Sequence, residues 1–103
     1  MPRLVWRPLA RADIKKIYVD IAKENPQSAE RYFEKIRAKA ERLRIHPRLG
    51  ERHPEIFLTA RMLVAAPFVI LYETVPDNDD VNVEIVEIVR VVDGRRDVKS
   101  LFE

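Results

Sequence analysis

Cysteine is absent from the chain. That removes disulfide scaffolds, thiolate metal sites and cysteine nucleophiles, and it is the usage expected of a protein kept in a reducing cytoplasm. Glycine occurs only at Gly50 and Gly94, which leaves no glycine-rich phosphate loop. Histidine occurs only at His46 and His53, with no Glu-x-x-His pattern nearby, so no metal ligand set is expected. The only serines, Ser28 and Ser100, lie outside any nucleophile-elbow context, and a hydrolase needing an activated nucleophile has little to draw on. No apolar run approaches the ~18–20 residues of a membrane span. The opening Met1-Pro2-Arg3-Leu4-Val5-Trp6-Arg7 has no apolar h-region, so no signal peptide is expected. The expectation is a protein without cofactor, metal or membrane partner.

What the 103 residues do contain is apolar side chains, at 47%, and charge, at 35%. The first figure is too high for a disordered tail, and the length suits one domain over residues 1–103 with a single modest core. The net charge of +2 hides an uneven distribution: residues 31–61 carry nine basic and four acidic groups, whereas residues 62–89 carry six acidic groups and no basic one. Separated charge of this kind steers partners more than it sets a fold.

Periodicity then divides the chain. Leu4, Val5 and Trp6, bounded by Pro2 and Pro8, read as a short edge strand. Leu9, Ala12, Ile14, Ile17, Tyr18, Ile21 and Ala22 recur at helical spacing and predict a helix over about 9–23. Asn25-Pro26 supplies an N-cap and a first-turn proline for a second helix. Ala29, Tyr32, Phe33, Ile36, Ala40 and Leu43 line its apolar face before Pro47 and Gly50 end it. The second half changes period. Arg61–Val64, Phe68–Tyr72 and Val81–Val92 are β-branched and aromatic, separated by turns at Ala66-Pro67 and Pro76–Asp80. The expected fold is α+β, in the order βααβββ, with a helical hairpin packed on one face of a small twisted antiparallel sheet. Trp6 and Tyr72 are expected in the core, and Asp77-Asn78-Asp79-Asp80 at an acidic hairpin tip without the glycine and glutamate of a calcium loop.

The remaining chemical signal is cationic. Arg31, Lys35, Lys39 and Arg42 form a stripe on the second helix, read as a solvated face or a partner surface. Arg61, Arg90, Arg95 and Arg96 lie on or beside strands. Arg90, inside the apolar run Ile88–Val92, must find a carboxylate across the sheet, face solvent, or anchor an acidic partner.

Taken in order, Ala12–Tyr18, Asn25-Pro26, Pro47–Arg52, Arg61-Met62-Leu63, Phe68–Tyr72 and Val89–Asp97 resemble the RelE/ParE toxin superfamily, most closely its ParE branch. The likeness spans nearly the whole chain. It departs from the branch at Asp93, where ParE-like sequences often carry histidine, and just before Arg61, where the usual glycine is Thr59 or Ala60. The resemblance implies a cytoplasmic toxin of a type II toxin–antitoxin pair, held in a hetero-oligomeric complex by a cognate ParD-like antitoxin and directed at DNA gyrase. Arg61, Arg90, Arg95, Arg96, Lys35, Lys39 and Arg42 are then the candidate antitoxin- or target-binding residues, with none assigned to catalysis. The alternative is a RelE-like nuclease that cleaves mRNA on the ribosome. That chemistry needs a base and an acid, and RelE-like toxins tend to supply Tyr or His from the tail. Here Asp93–Glu103 has neither, and arginine stays protonated. A protein inhibitor is therefore favoured over a catalyst. A plain nucleic-acid-binding module using the helical stripe ranks last, since the acidic segment opposes it.

Overall fold

The computed structural model describes residues 1–103. Strand β1 (Arg3–Trp6) leads through Arg7 into helix α1 (Pro8–Ala22), and helix α2 (Pro26–Glu41) follows after a three-residue joint. Pro8 and Pro26 each occupy a first turn, where a missing N–H costs nothing. The Asn25 side chain accepts a hydrogen bond from the Ser28 N–H at 3.1 Å, the N-cap its position predicts. A 3₁₀ turn (Arg42–Arg44) buries Leu43 and ends the hairpin. Strands β2 (Glu51–Arg52), β3 (Arg61–Ala65), β4 (Phe68–Val75) and β5 (Ile85–Asp93) then precede a last 3₁₀ turn, Lys99–Phe102. No helix is long and apolar enough to cross a membrane.

The five strands lie in the order β1-β5-β4-β3-β2. The expected meander of β3, β4 and β5 is present and antiparallel, and β1 lies at an edge, as its flanking prolines suggest. The sheet as a whole is mixed, not wholly antiparallel, because β1 runs parallel to β5, with Arg3 opposite Ile85 and Trp6 opposite Ile88. A two-residue side-chain period specifies which face is buried but is the same for either strand direction. The short, fully charged β2 carries no apolar alternation, so only its pairing with Arg61 and Met62 reveals it.

Leu71 pairs with Arg90 and Tyr72 with Ile88, which leaves Val89 as the extra residue of a β-bulge. The bulge resets the alternation of β5: Val86 and Ile88 face the helices, and so does Val91, three residues on. It also explains why the sequence alternates only partly along this strand.

The main core lies between hairpin and sheet. Ala10, Ile36, Ala40 and Leu43 meet Ile70, Tyr72, Val86 and Ile88, and the partly buried Trp6 and Tyr32 pack against them. Tyr32 and Phe68 stack edge-on with centroids 5.8 Å apart. The opposite face is also covered, contrary to the one-sided packing expected. Val69, Leu71 and Val92 lie beneath Ile56, Phe57, Leu101 and Phe102, the two phenylalanine rings 5.0 Å apart. The tail and the loop before β3 therefore form a second, smaller apolar layer.

Candidate functional site

Beyond Trp6, β1 stops and the chain turns into α1, so the outer edge of β5 loses its strand partner. Helix α1 takes over that edge. The Asp13 carboxylate accepts the Val91 backbone N–H at 2.9 Å and both arms of the Arg90 guanidinium, Nε at 2.7 Å and Nη2 at 2.9 Å. The hydrogen bond that Arg90 donates to Asp13 is the chief cause that holds the Arg90 pKa above its ordinary value. Arg90 thus finds its carboxylate on a helix, where the sequence offered an ion pair across the sheet or an exposed anchor. It is positioned by the bulge beside it.

This arrangement forms one wall of a groove of about 330 Å³ between α1 and the end of β5. Ile17, Ile21, Phe68 and Val91 supply apolar surface, and Arg95 and Arg96 stand on the rim. Asp93 accepts from the Arg95 backbone N–H at 2.9 Å and from its guanidinium at 2.9 and 2.5 Å. Those bonds, the side-chain one first, lower the Asp93 carboxyl to about 2. The Arg95 side chain is 78% exposed despite this pair, and Arg96 is exposed on the same wall. Lys35 adjoins from α2: its ammonium donates to the Ala66 carbonyl at 2.8 Å, and the next carbonyl, Pro67, accepts the Gly94 N–H at 2.8 Å.

Four of the seven candidate residues, Lys35, Arg90, Arg95 and Arg96, therefore come together at one end of the sheet. Lys39, partly buried, continues along α2 away from it, and the exposed Arg42 opens the 3₁₀ turn that follows. Arg61 is elsewhere. It opens β3 at the opposite end from the Ala66-Pro67 turn and is 5% exposed. It donates to the Gly50 carbonyl at 2.9 Å, to the Arg48 carbonyl at 3.4 Å and to Asp79 at 3.1 Å. The acidic residues 77–80 lie in the connection between the antiparallel β4 and β5, as expected of a hairpin tip, and Asp77 and Asp79 there pair with Arg48, Arg52 and Arg61. The adjacency of a basic and an acidic segment in the sequence was the available signal for that contact. Nothing in the sequence singled out Asp13, whose role depends on a strand edge that only the topology exposes.

The groove carries Arg90, Arg95, Arg96 and Lys16 as cations and Asp13, Asp20 and Asp93 as carboxylates. Asp13 is engaged by Arg90 and Asp93 by Arg95. An apolar floor under a guanidinium rim matches an amphipathic segment bearing carboxylates.

A strand, a helical hairpin and a mixed sheet, with a charged groove at one end, define a small α+β domain. Over residues 4–98 the sequence matches the family described as the ParE toxin of the type II toxin–antitoxin system parDE, and the chain belongs to that family. Among solved structures it is similar to a chain of the chromosomal ParDE toxin–antitoxin system from P. aeruginosa, with a TM-score of 0.70, 22% identity, and coverage of 90% of this chain and 96% of that one. At that identity the likeness bears on the fold. No curated protein matches.

Proposed function

We propose that this ParE-family toxin acts by docking on DNA gyrase in the cytoplasm and is neutralised by a ParD-like antitoxin in a hetero-oligomeric complex. The observation that carries the binding half of this reading is the groove between α1 and β5, with its apolar floor and two exposed arginines on the rim. An acidic amphipathic segment of the antitoxin seats its apolar residues against Ile17, Ile21 and Phe68 and its carboxylates against Arg95, Arg96 and Lys35. Lys39 and Arg42 extend the basic track along α2. Arg90 acts at one remove by fixing α1 to β5, and Arg61 by holding the neighbouring loop. A disordered acidic partner that folds on such a surface gains area at the cost of ordering.

The test is gyrase supercoiling in the presence of the purified toxin. Supercoiling is lost, and adding the small acidic antitoxin expected from the neighbouring reading frame restores it. Intact supercoiling together with mRNA cleavage on translating ribosomes would replace this reading with the RelE-like one. Arg95→Ala with Arg96→Ala lowers antitoxin affinity by about tenfold or more if these side chains meet its carboxylates. Unchanged affinity moves the antitoxin to another face.

A further inference from the structure

The tip of the loop between β4 and β5 is gripped by three arginines, and the way it is held points to a second ligand. Arg52 Nη2 and Arg61 Nη2 each lie 3.1 Å from Asp79, and Arg48 Nε lies 3.5 Å from it. All three contacts fall on one oxygen, Oδ1. Arg52 also reaches Asp77, Nη1 to Oδ1 at 3.0 Å. Arg48 Nη2 donates to the Asn78 carbonyl at 2.7 Å and to the Val81 carbonyl. The Nε of Arg61 is buried and has no partner.

Three guanidiniums crowded on a single carboxylate oxygen are a poor match to a planar two-oxygen acceptor. A tetrahedral phosphate group offers each guanidinium an oxygen of its own, in the paired geometry that arginine favours. The base of the cradle is also anchored outside the loop. Arg61 is 5% exposed and tied to the Gly50 carbonyl, and Arg52 belongs to β2. The loop is the removable part. The Asp79 side chain is 61% exposed, Val81 is exposed, and Val83 is the loop's buried apolar anchor. The Arg48 and Arg52 pairs to Asp79 are solvent-exposed, and ion pairs of that kind are individually weak and are screened by salt.

We propose that Arg48, Arg52 and Arg61 form a phosphate-binding cradle, that Asp79 is its resident stand-in, and that a bound phosphate group displaces the β4–β5 loop. The site is separate from the groove at the other end of the sheet and does not rest on the toxin reading. A tethered carboxylate competes at high effective concentration, so it masks the cradle until an anion of higher charge arrives.

The test uses the full chain, inorganic pyrophosphate as probe, and NMR of the arginine side-chain and backbone N–H groups at constant ionic strength. Asp79→Asn binds pyrophosphate about tenfold more tightly than the wild type, with shifts at Arg52 and Arg61. Adding Arg52→Met to that variant abolishes the gain. In the wild type, pyrophosphate raises hydrogen exchange across residues 77–81 where matched chloride does not, a readout that stands even if the variant folds poorly. A ten-residue oligothymidylate that shifts the same residues assigns the phosphate to a nucleic-acid backbone; a response to pyrophosphate alone assigns it to a soluble phosphate compound. Equal affinity in wild type and Asp79→Asn, or shifts confined to the stripe on α2, overturns the proposal.

Discussion

Tyr72 joins the two halves of the chain. It is fully buried, and its hydroxyl accepts the Gly50 N–H at 2.8 Å and donates to the Pro47 carbonyl at 2.9 Å. Removing that one oxygen strands a donor and an acceptor, so Tyr72→Phe lowers unfolding free energy by about 1–3 kcal/mol in urea melts. Gly50 is required by the same contact, because a Cβ there would lie 2.6 Å from the Tyr72 ring and 2.7 Å from the Met62 carbonyl. Gly50→Ala therefore costs at least as much as Tyr72→Phe. The burial of Tyr72 was legible from its apolar strand; the task of its hydroxyl was not, since both partners lie in an irregular segment. Asp13 makes the parallel case. Asp13→Ala leaves both the Arg90 guanidinium and the Val91 N–H without a partner, whereas Arg90→Ala leaves the Val91 bond intact. Asp13→Ala is thus the more destabilising of the two by about 1 kcal/mol, a difference thermal melts can read. Equal losses would mean that the backbone bond to Val91 contributes nothing.

The elements divide by how local their causes are. Both helices were legible because their apolar spacing, and for α2 an Asn-Pro start, are written in consecutive residues. The antiparallel meander was legible for the same reason, since its apolar runs are consecutive in the chain and broken by turn residues. The parallel pairing of β1 with β5 joins residues about eighty positions apart, and the choice of direction comes from topology, on which a strand's own pattern is silent. The tail was missed for another reason. Val98, Leu101 and Phe102 are too few to announce an element, yet they cover Val69, Leu71 and Val92 on the outer sheet face. Deleting residues 98–103 exposes that face. The truncated chain loses about 1–3 kcal/mol of stability and binds an apolar dye that the full chain does not. Phe102→Ala reproduces part of the loss, and Phe57→Ala added to it costs less than the sum, because the two rings share one contact. Full additivity would mean that the rings are not coupled. In the candidate site, the arginines were legible as chemistry, and their grouping into a rim and a cradle was not, because it depends on which ends of the sheet they reach.

Charge segregation along the chain becomes charge pairing in space, and this sets how stability responds to pH. Asp79 and Asp93 both titrate below the ordinary carboxylate value. The first cause is a guanidinium hydrogen bond in each case, from Arg52 to Asp79 and from Arg95 to Asp93, the latter reaching about 2. A carboxyl group whose folded pKa lies below its unfolded one contributes stability that is complete above the unfolded value and is lost as pH falls through the folded one. Stability therefore holds from neutral pH down to about 4 and declines between about 4 and 2. The alkaline limit comes from the opposite case. Burial raises the Tyr72 phenol above its ordinary value, against smaller opposing effects from Gly50 and Arg61. The neutral phenol is the form the fold holds, so its contribution is complete below about pH 10 and disappears as pH climbs through the raised value. Urea midpoints measured across pH should trace a plateau with these two shoulders. Asp93→Asn shrinks the acid shoulder, to which Asp79 still contributes, and Tyr72→Phe lowers the plateau while shrinking the alkaline one. Salt at about 1 M, where screening acts over roughly 3 Å, shrinks the acid shoulder and leaves the alkaline one, since only the first arises from exposed charge pairs. An acid shoulder that survives both Asp93→Asn and high salt would show that the arginine–carboxylate pairs at the surface do not set the low-pH limit.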